Sequence, residues 1–378
     1  MYYFDHSATT QPSKEIMEVV QEVAINFYAN PSSIHQMGER SKALMQQARQ
    51  QIANILGFNT DEIFFASSGT EVNNWVFQAI LTALHSRHPD RKRVIISSVE
   101  HPSITAQIDM LEQKVYIVDL APVNGDGVLD MAALKDLLAR DVLMVSSMAV
   151  NNEIGSLQPL EEIASLLTDY PQVIWHVDGI QAVTTQMDRL LNPRIDLISL
   201  SSHKFHSIRG AGILAKRQRV QSQPFLYGGG QEAGLRSSTE NLPAIVAASK
   251  ALRLAVEQQS KMKELLGKFR LEIIEVLKTS HWHVFAETTG SEHIICAAFP
   301  SVPGEVLVHA FEELNIIIST TSACSSRKHQ SHHTLKAMGV NENISTSAIR
   351  ISMSQPTTAQ EVAELIKAIQ LITQKFVK

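Results

Sequence analysis

The chain has 378 residues, 44% of them hydrophobic and 19% charged, which supports a large core and argues against disorder. The net charge of −5 comes without any basic block, so nucleic acid is not indicated as a direct ligand. Two cysteines argue against a disulfide framework and suit a reducing compartment, and no apolar run approaches a membrane span. The start, Met1-Tyr2-Tyr3-Phe4-Asp5-His6, lacks the basic and apolar regions of a signal peptide, so a cytoplasmic location is expected.

Residues 1–12 read as extended. Ser13 can cap a helix whose apolar positions are Ile16, Val19, Val20 and Val23. After the loop Asn30-Pro31-Ser32-Ser33, an amphipathic helix over about 37–56 ends on Gly57. Strands are expected at 62–67, 93–98, 115–118, 142–148, 173–178, 195–200 and 213–215. Helices are expected at 71–84 and from His101-Pro102-Ser103 onward. Strands alternating with helices imply a mostly parallel sheet covered on both faces. From Leu242 to about Ser280 the helical pattern is nearly unbroken, with a possible break at Gly267. Strands at 294–299, 316–319 and 348–352 and a helix at 359–376 follow.

Ligands in such sheets bind beyond the carboxyl ends of the strands, and polar residues cluster there. Ser67-Ser68-Gly69-Thr70 opens a helix and is either a common turn or an anion site. Asp178 closes an apolar strand as a cap or as the partner of a buried cation. His101 and Asn151-Asn152 close two more. Lys204 follows a buried strand beside Ser201, Ser202 and His203. An ammonium there is costly to desolvate unless its amine is used in a Schiff base. An anion cradle, a buried acid, an imidazole and such a lysine are the groups that pyridoxal phosphate asks for.

The stretch from Thr320 to Gln330 is polar and aperiodic, a loop in which Arg327, Lys328 and His329 favour a thiolate at Cys324. Cys296, within Ile-Ile-Cys-Ala-Ala, reads as core. His329, His332 and His333 lack cysteine or carboxylate partners at zinc spacing, so no metal is expected.

Taken in order, several motifs resemble those of the cysteine desulfurases, in the class V aminotransferase-like group. They are Phe4-Asp5-His6-Ser7-Ala8-Thr9-Thr10, Asn30-Pro31-Ser32-Ser33, Ser68-Gly69-Thr70-Glu71-Val72-Asn73-Asn74, Glu100-His101, and Val150-Asn151-Asn152-Glu153-Ile154-Gly155. His176-Val177-Asp178-Gly179-Ile180-Gln181, Ser202-His203-Lys204, Gly228-Gly229-Gly230-Gln231-Glu232, Leu235-Arg236-Ser237-Ser238-Thr239 and Ser322-Ala323-Cys324 complete the set. The resemblance implies an α/β PLP-dependent transferase of fold type I. It would have a large, mixed, mostly parallel seven-stranded sheet domain, a smaller C-terminal α/β domain and a homodimeric assembly. The expected division is a large cofactor-binding domain over 13–255 and a small domain of 1–12 plus 256–378.

By the same resemblance, Lys204 holds pyridoxal 5'-phosphate, Asp178 meets the ring nitrogen, Gln181 the ring hydroxyl oxygen, and His101 stacks on the ring and moves protons. Gly69, Thr70, Ser201 and His203 bind the phosphate, with Thr239 reaching the partner subunit's phosphate. Asn152 lies by ring and substrate, and Arg350, helped by Asn30, clamps the substrate carboxylate. Catalysis then rests on Lys204, His101 and Cys324: L-cysteine becomes L-alanine and its sulfur a persulfide on Cys324. The sulfur passes to acceptor proteins, an iron–sulfur scaffold or a tRNA-thiolation enzyme. Selenocysteine lyase, an aminotransferase on the same fold and a silent scaffold subunit are the alternatives. The chain departs from the family at Ser207-Ile208, where Gly-Pro is common, at Ser238 for Gly, and at His6 for Tyr or Asn.

Overall fold

The computed structural model describes residues 1–138, 141–321 and 333–377. Its strands are β1 (Tyr2–Tyr3), β2 (Ile63–Ala66), β3 (Arg93–Ser97), β4 (Ile117–Ala121), β5 (Val142–Met148), β6 (Ile174–Asp178) and β7 (Leu197–Ser201). There follow β8 (Gly212–Lys216), β9 (His283–Phe285), β10 (Ile294–Ala298), β11 (Ile316–Ile317), β12 (Ser319–Thr320) and β13 (Ala348–Ser352). Seven of them form one sheet in the order β2-β8-β7-β6-β5-β3-β4. Only β8 runs against its neighbours, antiparallel to both β2 and β7. Every residue of β5, β6, β7 and β8 is buried, which is why these strands read as continuous apolar runs rather than alternating ones.

Helix boundaries follow local chemistry. The Ser13 side chain accepts from Ile16 N at the start of helix Lys14–Asn26, and helix Gln36–Leu56 ends on Gly57 at φ 68°. Three expectations need correction. Strand β4 lies at Ile117–Ala121, later than 115–118, because its register with β3 begins at Arg93↔Ile117 while Tyr116 is turned into the core. The helix placed at 71–84 runs on from Gly69 through a π-helical turn at Val76–Ile80 to Arg87. Helix Leu242–Thr279 is unbroken at Gly267. A glycine inside a helix costs about 1 kcal/mol, and Leu266, Phe269 and Ile273, all buried around it, offset that cost.

The first half of this long helix packs in the core beneath the large sheet, through Leu242, Ile245, Ala248 and Leu252. Its second half joins a separate core with Phe269, Ile273 and Leu277, against the antiparallel sheet β12-β13-β10-β9. Phe4 belongs to this second core, and β1 pairs in parallel with β11. The N-terminus is thereby tied to the C-terminal part of the chain before it crosses to the large sheet.

Candidate active site

Strands β2, β3, β5, β6 and β7 all point the same way, so their carboxyl ends share one edge. That edge gathers Ser67–Thr70, His101, Asn151-Asn152, Asp178 and Lys204 from positions far apart in the chain. Lys204 ends a 3-10 turn, Ser202–Lys204, directly after β7. Its Nζ donates to Ser7 O at 2.5 Å and Ala8 O at 2.8 Å, and Gln181 Nε2 donates to Ser7 O at 2.9 Å. The N-terminal strap lies along the lysine loop. Thr10 N and Oγ1 donate to His203 O, both at 2.9 Å, and His206 N donates to Thr10 Oγ1 at 2.7 Å. His203 Nδ1 lies 3.1 Å from Thr9 Oγ1. The Ser207-Ile208 departure leaves no loose chain. Ser207 is 1% exposed, and Ser202 Oγ donates to Ile208 O at 2.6 Å in place of a proline-held turn.

Asp178 is 5% exposed and each of its oxygens accepts a hydrogen bond: Oδ1 from Ile180 N at 3.0 Å and Oδ2 from Asn73 Nδ2 at 2.9 Å. The same Asn73 amide donates to Ser103 Oγ at 2.8 Å, and Ser103 Oγ lies 2.9 Å from His101 Nδ1. A hydrogen-bonded chain thus runs from Asp178 to His101. Burial pushes the Asp178 carboxyl up from its ordinary range, opposed by His101, the two N–H donors and Lys204. Burial pushes His101 down, with Asp178 pulling the other way. Glu100, 1% exposed, is raised well above its usual range by burial and then by the charge of Asp178. Asn73 and Ser103 were not assigned roles from sequence. The available signal was spacing, since Asn73 sits one helical turn after Gly69 and so shares its face.

Gly69 is buried where the helical run begins, and its N–H approaches Ser201 Oγ at 3.4 Å. A Cβ at this position would meet Ile180 Cδ1 at 2.5 Å and Ser201 Cβ at 3.0 Å, so a larger residue would have to displace the Ile180 side chain and crowd Ser201. Thr70 is exposed beside it. Arg236 clamps this turn through Glu71, Nε to Oε1 at 2.7 Å, while Glu71 Oε2 accepts from Ser67 N at 2.8 Å. Thr239, shortly beyond Arg236, is exposed.

Arg350, on β13, is 4% exposed and enters the same region: Nη1 donates to Asn152 O at 2.9 Å and Nη2 to Asp5 Oδ1 at 2.8 Å. Asn30 does not join this group; it is exposed and its Oδ1 accepts from Ser32 N. Cys324, with Arg327, Lys328, His329 and His332, lies outside the described residues. Cys296 is fully buried on β10, where burial pushes its thiol up and makes it a poor nucleophile. Among the described residues, no group of three or more His, Cys, Asp or Glu is arranged to hold a metal ion, and no helix is long and apolar enough to cross a membrane.

A parallel-rich sheet with a lysine, an acid and a glycine turn at one edge defines a class of enzyme, and the comparisons agree. The aminotransferase class-V model matches residues 2–365, and the chain belongs to that family, within its cysteine desulfurase branch. It is 41% identical to a NifS/IcsS protein homolog of Lactobacillus delbrueckii subsp. bulgaricus, over 100% of this chain and 98% of that protein. It is 34% identical to the cysteine desulfurase IscS of Methanosarcina thermophila, covering 99% and 92%. Among solved structures, a NifS-like protein superposes with TM-score 0.92 at 32% identity over 100% of both chains. SspA in complex with cysteine does so with TM-score 0.80 at 26% identity, covering 94% and 99%.

Proposed function

We propose that the chain is a pyridoxal-phosphate-dependent cysteine desulfurase that converts L-cysteine to L-alanine and carries the sulfur as a persulfide on Cys324. The observation that carries this reading is the convergence of Lys204, Asp178 and His101 at one sheet edge, with Arg350 brought in from β13. The residues present fit the cofactor. Gly69 lets the Ser68–Thr70 turn pack closely on Ser201, with the Gly69 N–H 3.4 Å from Ser201 Oγ, which sets backbone N–H and hydroxyl groups side by side as an anion requires. Both donors to Asp178 are neutral, so its buried carboxylate gains from a cationic ring nitrogen.

Lys204 would hold the cofactor, Asp178 its ring nitrogen and Gln181 its ring hydroxyl oxygen, with His101 on the ring face. Gly69, Thr70, Ser201, His203 and the partner subunit's Thr239 would take the phosphate. When bound, the group supplies an electron sink that acidifies the α-hydrogen of an amino acid. Arg350 receives the substrate carboxylate through a two-pronged hydrogen bond, helped by Asn152. The Lys204 amine moves the α-hydrogen, and His101 relays protons. The Cys324 thiolate attacks the substrate sulfur: an S–S bond forms, the C–S bond breaks, and the carbon keeps the electron pair and takes a proton, leaving alanine.

The homodimer, the division into 13–255 and 1–12 plus 256–378, a cytoplasmic location and acceptor proteins for iron–sulfur or tRNA-thiolation chemistry belong to the same reading. The deciding experiment is incubation with L-cysteine without a 2-oxo acid. Stoichiometric alanine, with one sulfur added to the Cys324 peptide by mass spectrometry, is expected. Alanine formed only when pyruvate is supplied, with the cysteine sulfur left on carbon, would make the chain an aminotransferase.

A further inference from the structure

Arg350 makes two hydrogen bonds within the chain. Asn152 O takes Nη1 and Asp5 Oδ1 takes Nη2 at 2.8 Å, while Nε is buried with no hydrogen-bond partner among the described residues. A carboxylate that grips a guanidinium side-on uses Nε together with one Nη. The nitrogen that forms this fork with Nε is Nη2, the one Asp5 already holds. Asp5 cannot drift away: Ser352 bridges it, His6 N donates to Ser352 O, and Ala8 N closes a turn on Asp5 O at 3.0 Å. The far end of that turn supplies the Ser7 and Ala8 carbonyls that hold Lys204 Nζ.

We propose that Asp5 is a positioning residue for Arg350 that also competes with the ligand's α-carboxylate for the Nη2 prong, orienting the guanidinium and weakening retention of the alanine product. The proposal rests on the reading of Arg350 as the carboxylate clamp. Two carboxylates on one fork repel each other, so each lowers the affinity for the other. A structural brace alone would act in the opposite sense, because its loss would slacken the clamp and weaken binding.

The test titrates holoenzyme with L-alanine, read by calorimetry and by the cofactor's visible spectrum. Asp5→Asn keeps an acceptor for Nη2 and removes the charge. L-alanine is expected to bind roughly tenfold tighter, the scale of relieving one like-charge contact, and KM for L-cysteine to fall with it. Asp5→Ser carries the same expectation, and either folded, cofactor-loaded variant decides. Unchanged or weaker L-alanine binding overturns the proposal. Arg350→Gln separates the two readings. If it leaves L-alanine affinity unchanged, the clamp assignment is wrong; if it weakens binding while the Asp5 variants fail to tighten it, only the role of Asp5 falls.

Discussion

Lys204 and Gln181 donate to the same acceptor, the carbonyl oxygen of Ser7, at 2.5 and 2.9 Å. The strap at the start of the chain therefore registers the lysine against the side chain expected beside the ring hydroxyl. Lys204→Ala should remove the visible absorbance of the reconstituted protein while leaving its fold, seen by circular dichroism, intact. A wild-type protein that stays colourless with pyridoxal phosphate would end the cofactor assignment.

The Asp178–Asn73–Ser103–His101 chain fixes the Asp178 carboxylate at the sheet edge. Asp178→Asn keeps the size and one acceptor but removes the charge. It should retain some cofactor and lose alanine production by about 10²–10³-fold, the usual effect of removing one preorganised electrostatic group. Near-normal turnover would show that the acid faces something other than the ring nitrogen.

Thr239 is exposed beside a turn that Arg236 ties to Glu71. If it completes the partner's phosphate site, mixing inactive Thr239→Ala and Lys204→Ala subunits should recover activity in heterodimers. Verified subunit exchange without recovery would mean that each site is built from one chain.

His176 is fully buried on β6, with Nδ1 2.9 Å from Ser146 Oγ and Nε2 2.9 Å from Ser199 Oγ. Burial pushes it down to about 3. The folded state therefore prefers the neutral ring. Its contribution is complete above the unfolded value of about 6.5 and is lost as pH falls toward 3, at up to about 1.4 kcal/mol per pH unit. The gap in unfolding free energy between wild type and His176→Asn should shrink over that window in denaturant titrations. A gap constant from pH 7 to pH 4 would contradict the buried, neutral assignment.

Cys324→Ser should still show the spectral response to L-cysteine but release little alanine. The loss should exceed the ~10²–10⁴-fold effect of removing a general acid or base, because the sulfur acceptor itself is gone. Retained activity on selenocysteine in this variant would favour the lyase reading. Wild-type turnover of L-cysteine in this variant would make Cys324 an incidental thiol. Cys296, sealed in β10, should gain no sulfur.

What the sequence determined by itself was local. Ser13 capping a helix, Gly57 ending one and the apolar runs of β5 to β7 are set by interactions over a few residues, so composition and spacing expose them. The polar residues at the strand ends were legible for the same reason, because a buried strand makes its polar terminus conspicuous. The tertiary structure decided which of these ends meet and what joins them. Asp5 and Arg350 are 345 residues apart, and Asn73 and Asp178 are 105 apart. No local propensity encodes such pairings; they follow from β1 docking on β11 and from β8 joining β2 to β7, next to β6. The persistence of the helix through Gly267 has the same origin, since burial on two cores outweighs the preference of one residue.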